Sequence, residues 1–238
     1  YFTADHPEFN VEKIFIDSYV QKNTANGDRY PDVTDAINEK IENGTLFFNY
    51  TGHGGHLALT DERIFQISDI VNSKNYDNLG VWIVASCEFG PFDDPNQVSA
   101  GEHLVLNPLG GGVALFTTTR LAYASYNFRI NEKFHEIAFS KNTDGTYNRM
   151  GDIIRYAKNE SGNLVRNFNF VLLGDPALRM AYPEFTVNTT HFNGKTIQDA
   201  VEDTIKGRQT INIKGEISTY DSTLVSEFEG ELHIKVFG

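Results

Sequence analysis

Two nearly unbroken apolar runs, Leu46-Phe47-Phe48-Asn49-Tyr50 and Gly80-Val81-Trp82-Ile83-Val84-Ala85-Ser86, constrain the fold of this chain more than any other feature. A strand with one wet face alternates apolar and polar residues, so runs this continuous describe strands buried on both faces, with helices packed on each side. The segments between them fit that reading. Val33, Ile37 and Ile41 recur every four residues, Asp32 or Thr34 can cap such a helix, and Gly44 can end it. Helical spacing returns near Glu62 to Val71, Ala100 to Leu106, Asn127 to Phe139 and Met150 to Lys158, while Gly112 to Thr117 supplies another core strand and Glu12 to Asp17 reads as the first one. The expected fold class is α/β, with a mostly parallel sheet flanked by helices over residues 1–183. From about Phe185 the pattern turns to short alternating segments such as Thr210 to Ile213 and Glu231 to Val236. Residues 184–238 are therefore expected to form a small immunoglobulin-like β-sandwich segment, cut short at Gly238 because such domains run to ~100 residues.

Composition excludes several partners. With 32 acidic against 20 basic residues the formal charge is −12, and no dense Lys/Arg run offsets it, so nucleic acid is not an expected partner. No apolar stretch approaches the roughly 20 residues that span a bilayer, so no transmembrane segment is expected in this chain. An aromatic content of 13% argues against disorder. Tyr1 in place of a start methionine reads as a processed or partial chain. The single cysteine excludes an internal disulfide framework and a multi-cysteine zinc site.

Chemistry concentrates where those two runs end. In an open parallel sheet the crevice beyond the carboxyl ends of the strands is where ligands bind. One run flows into Thr51-Gly52-His53-Gly54-Gly55-His56 and the other ends at Cys87. If the two strands are neighbours, His53 can draw the thiol proton of Cys87 and leave a thiolate nucleophile. Gly54 has no Cβ to obstruct a substrate, so its N–H and that of Cys87 could hold a developing oxyanion. The competing reading is an inert buried cysteine beside a turn histidine.

The surrounding polar residues leave alternatives open. His56 lines the cleft or faces solvent. Glu88, Asp93 and Asp94 could orient a substrate amine, tune His53, bind a structural Ca2+ through hard oxygens, or form a solvated loop. Arg120, closing the Thr117-Thr118-Thr119 strand end, suits a substrate carboxylate or a structural ion pair equally. His53 and His56 with Asp61 and Glu62 could in principle hold a metal. Histidines three apart in a glycine-rich loop do not share a face, however, and no His-Glu-x-x-His pattern is present, so neither metal nor cofactor is expected.

The segments NYTGHGG, ASCEFGPFDDP, SAGEHLVLNPLGGGVALFTTTR and LLGDPALRM resemble the gingipain-type cysteine peptidases of the caspase-like clan, the type IX secretion sortases most of all. The resemblance runs in order from about Lys13 to Met180. It implies that Cys87 is the nucleophile and His53 the base. It further implies an exported enzyme at the bacterial cell surface or outer membrane, whose protein substrates carry C-terminal secretion signals and whose partners include other secretion components. Water as the acceptor would make a general secreted endopeptidase, and loss of chemistry would leave a secretion scaffold. His53 and Cys87 are 34 residues apart and Ser86 precedes the cysteine, which differs from the caspase pattern itself.

Overall fold

Between Glu12 and Ala181 the chain lays down a central four-stranded sheet with helices on both of its faces. The computed structural model describes residues 6, 9–25, 27–162, 164–200, 204–219, 222–230 and 234. In chain order the first unit contains a small antiparallel pair, β1 (Lys22–Thr24) and β2 (Gly27–Arg29), then helix α1 (Pro31–Asn43) and β3 (Phe47–Thr51). A short ribbon follows, β4 (Ala58–Leu59) with β5 (Phe65–Gln66), then α2 (Ile67–Asn72), β6 (Gly80–Ala85), α3 (Ala100–Leu106) and β7 (Gly112–Thr118). Helices α4 (Ala124–Ala138), α5 (Met150–Glu160) and α6 (Leu164–Asn167) precede β8 (Phe170–Gly174). The central sheet has the order β3-β6-β7-β8, parallel across its first three strands and antiparallel at β8.

Alternation along buried strands sends successive side chains to opposite faces. On one face Phe48 stacks on Trp82 at 4.3 Å between ring centroids, and Phe65 stacks on the same indole at 5.1 Å. Val84, Leu115, Val33, Ile41, Ile70 and Leu104 complete that core under α1, α2 and α3. On the other face Phe47 and Phe116 meet Phe134 of α4 at 6.2 and 5.5 Å. Local signals fix the helix ends. Pro31 occupies the first turn of α1, and Ser99 with Glu102 forms a reciprocal capping box at α3.

Three expectations need correction. Glu12 to Asp17 is not a strand: the chain is irregular to Phe15 and makes a 3-10 turn at Ile16–Ser18. Ile14 and Ile16 pack on the core while Phe15 stays 63% exposed, so the alternation records extended backbone without a sheet edge to join. The helix expected from Glu62 is shorter, because Thr60 and Arg63 adopt positive φ and Gln66 with Asp69 caps the helix only at Ile67. Gly174-Asp175-Pro176, where the sequence suits a helix entry with Asp as cap and Pro in the first turn, opens a turn instead: Asp175 accepts hydrogen bonds from the N–H groups of Ala177 and Leu178.

A second unit comprises residues 1–11 and 182–238. Its β9 (Phe185–Phe192) is flanked by β10 (Lys195–Thr196) and β11 (Ile213–Thr219) in one antiparallel sheet. Of the strands expected there, Thr210 to Ile213 meets β11 only at its last residue, Ile213, and Glu231 to Val236 falls, apart from Ile234, outside the described residues.

Candidate active site

The parallel register of β3 and β6 determines what meets at the carboxyl edge. Their ladder ends with Thr51 opposite Ala85. Two residues past that pair, on each strand, stand His53 and Cys87. The two segments also touch: a Cβ built on Gly54 would lie 2.6 Å from Ser86 Oγ and 2.9 Å from Ser86 Cβ, so only glycine lets the histidine loop close onto the cysteine turn. Thr60 N–H donates to the His53 carbonyl at 3.0 Å and Gly55 N–H to Ala58 at 3.1 Å. In such a bridge the groups on either side of Gly54 are used, which directs the N–H of Gly54 itself away from the ladder. The Tyr50 hydroxyl donates to the same His53 carbonyl at 2.5 Å, and burial, reinforced by Glu62 and Asp61, pushes its pKa well above the usual phenol range.

The cysteine turn is held from β7. Thr117 Oγ1 donates to the Val84 carbonyl at 3.1 Å and Thr118 Oγ1 to the Ser86 carbonyl at 2.7 Å. Cys87 is half-buried, and its Sγ lies 3.4 Å from both the N and the O of Ala122 in the loop that enters α4. Glu88 follows in the left-handed region at φ 46°, where a side chain pays a steric penalty that surrounding contacts must offset. One such contact is visible: His56 Nε2 stands 3.6 Å from Glu88 Oε2. The Gln97 amide holds the other ring nitrogen of His56, and the His56 carbonyl accepts from Ala100 N–H at 2.7 Å.

The remaining candidates are placed as follows. Arg120 makes a bidentate pair with Asp93, at 2.9 and 2.5 Å, which holds the Asp93 carboxyl below its ordinary pKa and raises that of the guanidinium. Asp94 Oδ1 accepts from the backbone and side-chain nitrogens of Asn96. Among the described residues no three His, Cys, Asp or Glu side chains form a metal-binding group, and His53 with His56, Asp61 and Glu62 is no exception. No helix of the described residues is long and apolar enough to cross a membrane.

Sequence reasoning passed over Thr117, Thr118, Gln97, Ala122 and two asparagines of α4. Asn127 Nδ2 donates to the Ala85 carbonyl at 3.2 Å and Asn131 Nδ2 to Thr51 Oγ1 at 3.3 Å. A signal existed for the asparagines: they interrupt the apolar stripe of Ile130, Phe134 and Ile137 at helical spacing.

Adjacent parallel strands thus end just before a lone thiol and a glycine-flanked histidine, at the carboxyl edge of a helix-covered sheet. The chain belongs to peptidase family C25, whose family model matches residues 1–181. Its fold is that of the Arg-specific cysteine proteinase gingipain R, with a TM-score of 0.54 at 20% identity over 66% of this chain. The complex of Porphyromonas gingivalis RgpB pro- and mature domains aligns equally over 66% of the chain, with a TM-score of 0.53 at 19% identity. The chain spans about two fifths of those structures, 39% and 40%. No curated protein matches it in sequence.

Proposed function

We infer that this chain carries the catalytic edge of a thiol-dependent peptidase, with Cys87 as nucleophile and His53 as general base. The observation that supports the reading is the register of β3 and β6, whose ladder ends with Thr51 opposite Ala85, two residues before His53 and Cys87 along the chain. Cys87 attacks a peptide carbonyl, and His53 takes the thiol proton and passes it to the leaving amine. The N–H groups of Gly54 and Cys87 stabilise the oxyanion. An acyl-enzyme results. The resemblance of the His53, Cys87 and Gly174-Asp175-Pro176 segments to type IX secretion sortases supports a specific fate for it. The enzyme removes C-terminal signals from exported cargo at the cell surface and transfers the acyl group to an amine on a surface glycolipid, or hydrolyses it where water is the acceptor. Glu88, His56 and Arg120 border the cleft in this reading, and no metal takes part.

Cleavage of a signal-bearing cargo by the full-length protein tests it. Cys87→Ala is expected to abolish cleavage while a chelator leaves the wild type unchanged; turnover surviving in the variant refutes the thiol mechanism. Mass spectrometry of the released cargo then separates transfer from hydrolysis, by an added amine or a free carboxylate at the new C-terminus.

A further inference from the structure

Cys87 is half-buried at its strand end while Phe89, two residues on, lies fully buried in the core, so the chain has to bend sharply at Glu88. It does so with Glu88 at φ 46°, a conformation that glycine adopts freely and that costs a residue with a Cβ about as much as one exposed ion pair returns. The backbone of the bend is tied on both sides. Glu88 N–H donates to the Arg120 carbonyl at 3.4 Å, Gly90 N–H donates to Thr118 at 3.0 Å, and the Phe89 carbonyl accepts from Gly101 N–H at 2.9 Å. Those bonds would serve a glycine at position 88 equally well. A glutamate stands there instead, and its carboxylate reaches His56 Nε2 at 3.6 Å. Arg120 also lies in the field of Glu88, but its guanidinium makes a bidentate pair with Asp93.

His56 is fixed independently of that contact. The Gln97 amide nitrogen meets its Nδ1, and its carbonyl accepts from Ala100 N–H, at the start of α3, at 2.7 Å. An amide nitrogen can only donate, so Nδ1 accepts and the ring proton sits on Nε2, toward the Glu88 carboxylate. We propose that His56 is the positioning residue for the cysteine turn: it grips the Glu88 carboxylate, holds that residue in its left-handed conformation and ties the turn that carries Cys87 to the loop that carries His53. This rests on the reading of Cys87 as nucleophile. Two points of contact then join the loops. Gly54 closes on Ser86, one residue before the thiol, and His56 closes on Glu88, one residue after it. The first depends on the absence of a side chain and the second on a pair of them. One contact alone would leave a pivot about which the turn could swing; two fix how it stands against the histidine loop.

The test needs no substrate, because Cys87 is the only cysteine in the chain. Iodoacetamide alkylation is followed from about pH 5 to about pH 9, with the melting temperature as a control for folding. His56→Ala is expected to lower the rate across that range by about two- to fivefold, the scale of one partly exposed charged contact. Glu88→Gly supplies the conformation without the grip, so adding His56→Ala to it is expected to cost nothing further. An equal loss in both backgrounds overturns the assignment, as does an unchanged profile in folded His56→Ala. Should the single variant fail to fold, recovery in the double variant supports the proposal and its failure to recover overturns it. Two NMR measurements read the geometry directly. A strong intraresidue NOE between the amide and α protons of Glu88, the mark of positive φ, is expected in wild type and is expected to weaken in His56→Ala. Nitrogen-15 shifts of the wild-type His56 ring are expected to show the proton on Nε2, and a ring protonated on Nδ1 alone overturns the proposal without any variant. Alkylation that survives unchanged in His53→Ala would refute the dyad reading, a separate result that leaves the comparison of His56 with Glu88 intact.

Discussion

The two faces of the central sheet are built to different rules at the same strand ends. Toward α1, α2 and α3 the residues are Phe48, Trp82, Phe65, Val84 and Leu115, stacked or packed on one another. Toward α4 the aromatic packing of Phe47, Phe116 and Phe134 gives way near the carboxyl edge to Thr51, Asn127 and Asn131. The first face is an aromatic core stabilised mainly by area removed from water, with one unpartnered buried polar atom, Trp82 Nε1, at its centre. The second keeps unsatisfied polar atoms next to the residues that carry the proposed chemistry, which is where a fold tolerates local cost in return for function. In the proposed reading the chemistry belongs to the strand ends and the α4 face, with Tyr50 as the one link across: it packs on the first face and its hydroxyl donates to the His53 carbonyl.

Trp82 gives the strongest way to break that division. It is 2% exposed and sandwiched between Phe48 and Phe65, so Trp82→Ala is expected to cost about 3–5 kcal/mol in chemical denaturation. If the faces are separate in the sense argued, any of the variant that remains folded keeps the alkylation profile of Cys87. A changed profile in the folded fraction would mean that the aromatic face also sets the geometry of the thiol.

Thr118→Val probes the junction between the faces. The hydroxyl is fully buried and its bond to the Ser86 carbonyl, at 2.7 Å, holds the residue next to the nucleophile. Valine matches its shape and strands that carbonyl, at a cost of about 1–3 kcal/mol. Here stability and cysteine reactivity are expected to fall together. A stability loss with unaltered alkylation would show that Ser86 is held well enough by the β6–β7 ladder alone.

How far these roles could be read in the sequence follows from how far apart the partners lie along the chain. The buried strands, α1 and α3 were legible because their signals are local: continuous apolar runs, Gly44 after the last turn of α1, and helical spacing over Ala100 to Leu106. His53 and Cys87 stood out because each ends such a run. Thr118, Asn127 and Asn131 did not, because their partners are 32, 42 and 80 residues distant and are chosen by strand order, which no local pattern encodes. The false strand at Glu12 to Asp17 has the same cause in reverse. Its alternation was real, with Ile14 and Ile16 turned inward, but pairing depends on an available edge.

The smallest expected effect concerns pH and falls on the α4 face alone. His135 stacks on Phe139 and lies against Phe47 and Phe134, with Nδ1 2.8 Å from the Asn131 carbonyl. Burial lowers its pKa from the ordinary 6.5, and the hydrogen bond to Asn131 offsets this only in part. Between the lowered native value and 6.5 the unfolded chain binds the proton more readily than the folded one, so stability rises with pH across that window. It is full above about 6.5 and is lost progressively as the pH falls toward the native pKa. Replacing the ring by an uncharged one, His135→Phe, is expected to flatten this dependence in urea titrations at pH 5 and pH 7 while leaving the upper value little changed.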